Sequence, residues 1–78
     1  MTSLDLAALL GFKHIRVLTQ ARAFYPGLDP DTYTDKLRRK QPVFNFTDSQ
    51  LSNFAAYLMI KSVKYLTPKQ RTLLGKLQ

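Results

Sequence analysis

The chain has 78 residues, a formal net charge of +7 and no cysteine. That length suits a single domain, residues 1–78, with a marginal core. The missing cysteine excludes disulfides, thiolate metal sites and cysteine nucleophiles. Hydrophobic residues make up 45% of the chain, with five Phe and four Tyr, which is globular rather than disordered content. Twelve Lys and Arg stand against five acids, all of them Asp. Residues 1–40 carry seven bases and four acids, and residues 41–78 carry five bases and only Asp48. The excess therefore runs through both halves, and such a field attracts polyanions. The opening MTSLDLAALLGF has neither a basic leader nor a small-residue cleavage pattern, so it does not read as a signal peptide. The apolar runs fall short of the roughly 18 residues that a membrane span needs. These features predict a cytoplasmic or nucleoid/nuclear chain that is not secreted and has no membrane partner.

In chain order, Thr2 or Ser3 can cap a short helix through Leu10, with Gly11 ending it. The stretch FKHIRVLTQARAFYPG fits two periods. As a helix it gathers His14, Leu18, Ala21 and Tyr25; as a strand it alternates Ile15, Val17 and Thr19 against Arg16, Leu18 and Gln20. Its length and Ala-rich second half favour helix, and an extended reading of part of residues 12–25 stays open. YPGLDP is the main loop. In LDPDTYTDKLRRK, Asp29 is placed to cap, Pro30 to occupy the first helical position and Leu28 to staple onto Tyr33. Asp31 and the closing Arg38, Arg39 and Lys40 complement a helix dipole. Asp35 can pair with Arg38 or Arg39, and Pro42 stops the element. This predicts a helix from Pro30 to about Lys40.

QPVFNF follows as a short extended linker. FTDSQL then carries the clearest start signal: Thr47 caps, Gln50 closes a capping box, and Phe46 and Leu51 form the staple. A central helix is expected from about Asp48 to Leu66. Leu51, Phe54, Ala55, Leu58, Ser62, Tyr65 and Leu66 fall on its apolar face, widened by Met59 and Val63. LTPKQ starts the last helix with Thr67, Pro68 and Gln70. Leu73, Leu74 and Leu77 form its buried side, and Gly75 is a candidate early stop. The fold class expected is all-α: a compact domain of four to five short helices.

Chemistry has little footing in the residue types. His14 is the lone histidine, and Asp5 stands at no spacing that predicts contact with it. No Glu exists to complete an acid–base pair. Asp29, Asp31 and Asp35 match neither a carboxylate pair nor a calcium loop. The three glycines form no phosphate loop. No enzyme activity, cofactor or metal is expected.

A basic surface is the better candidate. Lys36, Arg38, Arg39 and Lys40 form a run that can meet phosphates. Asn53, Tyr57, Lys61 and Lys64 lie opposite the apolar stripe of the central helix, and Lys69 and Arg71 extend the set into the last one. Lys and Arg there would neutralise phosphates, Asn53 could reach a base edge, and Tyr57 could stack on an unpaired base. These ten residues predict a non-catalytic DNA- or RNA-binding domain. The residues of the last two helices also fit a helix-turn-helix only generically, because the first helix is long and the turn tight. The rival expectation is a helical adaptor or regulatory subunit, homodimeric or bound to an obligate partner as its small size suits, docking through Phe44, Tyr57 and Ile60.

Overall fold

The computed structural model describes residues 1–61 and 64–78. Among them are four helices and one antiparallel hairpin. The chain forms two compact units, Met1–Asn45 and Phe46–Gln78.

The first unit begins with α1 (Ser3–Leu10). The Thr2 hydroxyl accepts the Asp5 N–H at 3.1 Å and the Asp5 carboxylate accepts the Thr2 N–H at 3.2 Å, a closed capping box. At the far end Gly11 takes a left-handed conformation, φ 71°. Its N–H donates to Ala8 O, while Phe12 N–H donates to Ala7 O at 2.9 Å, the Schellman pattern. Ser3, Leu6, Ala7 and Leu10 form the buried face at helical spacing.

Helix α2 (His14–Phe24) buries Val17, Leu18 and Ala21. Its dominant period is therefore helical, and the strand reading of residues 14–24 is not realised. Arg16 lays its guanidinium over the Phe12 ring, 4.1 Å from the centroid, a cation–π contact at the entrance to the helix.

Residues 31–43 correct the expected helix. They form β1 (Asp31–Thr34) and β2 (Lys40–Val43), paired antiparallel with Tyr33 opposite Gln41 and Thr34 opposite Lys40. The physical reason lies in packing. As a helix, residues 30–40 would offer only Tyr33 and Leu37 to a core, and packed faces supply most helix stability in proteins. As a strand, the β-branched and aromatic Thr-Tyr-Thr suits a pleat. Tyr33, Gln41 and Val43 then face inward, half-buried or buried, while Thr32, Thr34 and Lys40 face out. Past β2, Ser3 N–H donates to Phe44 O at 2.8 Å, and Asn45 bridges Thr2. This return seats Phe44, which is 1% exposed.

The second unit opens with the expected box. Gln50 N–H donates to Thr47 Oγ1 at 3.1 Å, and Thr47 N–H donates to Gln50 Oε1 at 2.9 Å. Phe46 is buried and packs its ring on Phe54, centroids 5.2 Å apart. Helix α3 (Asp48–Lys61) buries Leu51, Phe54, Ala55 and Leu58, the expected stripe. It is shorter than expected. Lys64 and Tyr65 form a turn, so Tyr65 is exposed rather than on the apolar face. Ser62 and Val63 lie outside the described residues. Thr67 and Gln70 close a second box, and Pro68 begins α4 (Pro68–Leu77). Leu66 and Leu74 are buried. Gly75 does not stop this helix, which continues to Leu77.

The two glycines predict opposite outcomes. Gly11→Ala forces a side chain into the left-handed region and should destabilise by about 1 kcal/mol. Gly75→Ala puts a Cβ 4.0 Å from Met59 Cε, ordinary contact, inside a helix, and should stabilise by about 0.5–1 kcal/mol. Urea unfolding of both variants checks the pair; equal effects would contradict the assignment of either position.

Candidate nucleic-acid interface

The hairpin tip brings Lys36, Arg38, Arg39 and Lys40 together, all four exposed. Its shape follows from a short set of bonds. Arg38 N–H donates to Asp35 O at 3.0 Å and closes a four-residue turn. Arg38 then takes φ 61°, the left-handed conformation usually given to Gly or Asn. Asp35 N–H donates to Arg39 O at 3.0 Å. This is a three-residue loop, Lys36-Leu37-Arg38, closed by a bulge.

The side chain of Asp35 fixes the same loop from inside. Its Oδ1 accepts the N–H groups of Leu37 and Arg39, both at 2.9 Å. Its Oδ2 accepts Arg39 Nε at 3.0 Å and Gln41 Nε2 at 3.3 Å. Hydrogen bonding from the Arg39 backbone, opposed by partial desolvation and aided by the Arg39 side chain, holds the carboxyl below its ordinary range. The expected Asp35–Arg39 pair thus exists, at 3.0 Å, but in a turn and not along a helix. Arg39 remains 63% exposed, so the pair adds little stability; what it does is orient one guanidinium. Sequence reasoning placed the cations and missed Asp35 as the organiser. The available signal was Asp at the first position of a turn after a Thr-rich run.

The other candidates belong to the second unit. Asn53 and Lys61 are exposed on α3, Lys69 and Arg71 are exposed on α4, and Lys64 stands in the intervening turn. Asn53, Tyr57 and Lys61 follow four-residue spacing and share one side of the helix. Tyr57 is half-buried, its ring stacked on Phe54 at 6.1 Å and 18°, so part of the expected stacking platform is already covered. Of the adaptor set, Ile60 is 77% exposed, whereas Phe44 is spent in the core and presents no surface. Tyr65, 76% exposed, is an addition that only the early end of α3 reveals.

One further pair has the look of chemistry. Ser3 Oγ lies 2.8 Å from His14 Nε2. Ser3 has no exposed surface, and its Oγ also accepts the Phe44 N–H at 2.9 Å. In the neutral imidazole protonated on Nδ1, the Ser3 hydroxyl donates to Nε2, and both of its capacities are used. The Tyr33 ring meets His14 edge-on at 6.0 Å. The pair therefore ties the starts of α1 and α2 to the hairpin, and an incoming substrate has no path to Oγ. Among the described residues no group of three His, Cys, Asp or Glu could hold a metal, and no helix is long and apolar enough to cross a membrane.

Burial lowers the pKa of His14. Its contribution is therefore complete above the unfolded value of about 6.5 and is lost as pH falls from there through the lowered folded value. Denaturant unfolding should give less stability at pH 5.5 than at pH 7.5, with His14→Gln flattening that difference. Ser3→Ala leaves the buried Phe44 N–H without its side-chain acceptor and should cost about 1–3 kcal/mol at pH 7.5. A flat profile for the parent chain would contradict the role given to His14.

Compared with protein-family models, curated proteins and solved structures, the chain matches none.

Proposed function

We propose that the chain binds nucleic acid without catalysis, and that the hairpin tip is its principal contact. The observation that carries this reading is the fixed basic loop: four cations in five residues, held by an internal carboxylate at the apex of a two-stranded ribbon. Phosphate binding needs positive charge, and it gains from charge whose backbone is already ordered, because less freedom is lost on contact. Antiparallel ribbons of this kind can enter a groove of duplex DNA, major or minor. Lys61, Lys64, Lys69 and Arg71 offer further phosphate contacts in the second unit, and Asn53 a polar one. The proposed mechanism is phosphate neutralisation with counterion release.

A second reading rests on Ile60 and Tyr65, both more than 70% exposed in the second unit. Exposed large apolar residues suit a protein partner or a second copy of the chain. Tyr57 belongs to this reading too, through whatever part of its ring stays open. On this view the basic loop serves solubility, and the chain is an adaptor.

One titration separates the two. Fluorescence anisotropy with a labelled duplex is run at 50 and 200 mM salt, on the parent chain, Lys36→Gln/Arg38→Gln and Ile60→Ser. Four phosphate contacts give a log–log salt slope of about −3.6, roughly a hundredfold loss over that range. The double variant should flatten the slope by about 1.8, and Ile60→Ser should leave it unchanged. A salt-insensitive complex, or one abolished by Ile60→Ser alone, would overturn the reading in favour of the adaptor.

A further inference from the structure

Leu37 stands at the apex of the basic loop, 71% exposed. The position is unusual for a large apolar side chain. Turn apices favour Gly, Asn, Asp, Pro and Ser, each for a backbone or hydrogen-bonding reason that Leu does not share. Leu37 supplies none of the bonds that close this turn through its side chain, and its burial contributes little to the fold. Its neighbours Lys36, Arg38, Arg39 and Lys40 are all cationic and exposed. Its backbone is nevertheless firmly held. Leu37 N–H donates to Asp35 Oδ1 at 2.9 Å, and the next residue is the left-handed Arg38. A bulky side chain in a left-handed position is strained, and such strain persists only where surrounding structure fixes it. The apex is thus an apolar point on a stiff, positively charged support.

We infer that Leu37 is a wedge that enters duplex DNA between neighbouring base pairs and kinks it, with the flanking Lys and Arg holding the phosphates on either side. This deepens the proposed function and rests on it. The physical requirements are met together. Unstacking a base step is unfavourable, and proteins that do it insert Leu, Ile, Phe, Met or Pro from a cationic minor-groove contact. The wedge must not fold away under load, which the Asp35 bonds provide. The bend must be repaid by contacts that the straight duplex does not allow, which the surrounding cations provide. A-form RNA is a poorer fit, since its deep and narrow major groove and shallow minor groove offer a tip little purchase. An anionic bilayer is the other surface that an apolar residue among cations suits. A single leucine is weak as an anchor, however, and the outward face of the hairpin carries Thr32, Thr34 and Lys40, with half-buried Pro42 its one apolar side chain.

The test is a bending assay on the full chain. A duplex of about 30 base pairs carries a donor and an acceptor dye at its ends, and energy transfer is read on saturation with the parent chain, Leu37→Ser and Leu37→Phe. Circular dichroism confirms that each variant is folded, as an exposed position predicts. The parent chain should raise transfer. Leu37→Ser should abolish the rise and weaken binding by about tenfold, the loss of one buried apolar side chain, and Leu37→Phe should restore both. Equal binding by Leu37→Ser, or a duplex that stays straight with the parent chain, would overturn the wedge and leave the nucleic-acid reading standing. Absence of any duplex binding would overturn both. A parallel flotation with vesicles of phosphatidylserine and phosphatidylcholine decides the source of the anion: Leu37-dependent capture by vesicles, with no Leu37 dependence on duplex, would also overturn the wedge.

Discussion

The carboxylate of Asp35 accepts four hydrogen bonds, two from the backbone N–H groups of Leu37 and Arg39 and two from the side chains of Arg39 and Gln41. A short loop rich in like charges has reason to open, since its cations repel one another and gain water by spreading. One anion at the loop base answers both tendencies. It draws Arg39 inward and satisfies two N–H groups that a tight turn would otherwise leave to solvent. It also lets Arg38 sit at a positive φ without glycine. The loop is consequently cross-linked by hydrogen bonds, basic and tipped with an apolar side chain, and the functional proposals above all depend on that combination.

A second polar node does comparable work within the same unit. Ser3 is the first residue of α1, His14 the first of α2, and Phe44 follows β2. The Ser3 hydroxyl touches groups of both of the others, while the Ser3 N–H takes the Phe44 carbonyl. A buried hydroxyl without partners is unfavourable, so its two partners, His14 Nε2 and the Phe44 N–H, make the node specific as well as stable. Ser3 is fully buried and His14 half-buried, so this Ser–His pair joins the starts of two helices within the fold.

Much of the helical framework was legible in the sequence because its signals are local. The boxes expected at Thr47–Gln50 and Thr67–Gln70 both form, and of the two caps open for the first helix Thr2 is the one used, in a box with Asp5. Gly11 stops its helix for the same local reason. The hairpin was not legible. Its bulge position is Arg38, where glycine would have announced a turn, and Asp-Pro at residues 29 and 30 imitated a helix start. Thr-Tyr-Thr was the competing signal, and it prevails because the paired strands set Tyr33, Gln41 and Val43 on one inward face, where a helix would have had only Tyr33 and Leu37 to bury. The end of α3 was missed too. Apolar periodicity continues through Tyr65, yet the helix has ended by then, and periodicity alone carries no information about where a chain turns. At the candidate site the cations were legible as a run, but their organiser and their apolar apex, Asp35 and Leu37, became visible only once the run was known to be a loop.

Charge and shape make opposite forecasts for one substitution. Asp35→Ala removes an acid from a chain of formal net charge +7, so long-range electrostatics alone forecasts tighter binding to a duplex. If an ordered loop is what binds, the same change frees Leu37 and Arg39 and weakens the complex. Duplex affinity of Asp35→Ala at fixed, moderate salt therefore tests the central claim most directly. The account predicts a loss of affinity despite the added positive charge, with faster amide exchange at Leu37 and Arg39. Affinity equal to or above that of the parent chain would contradict it.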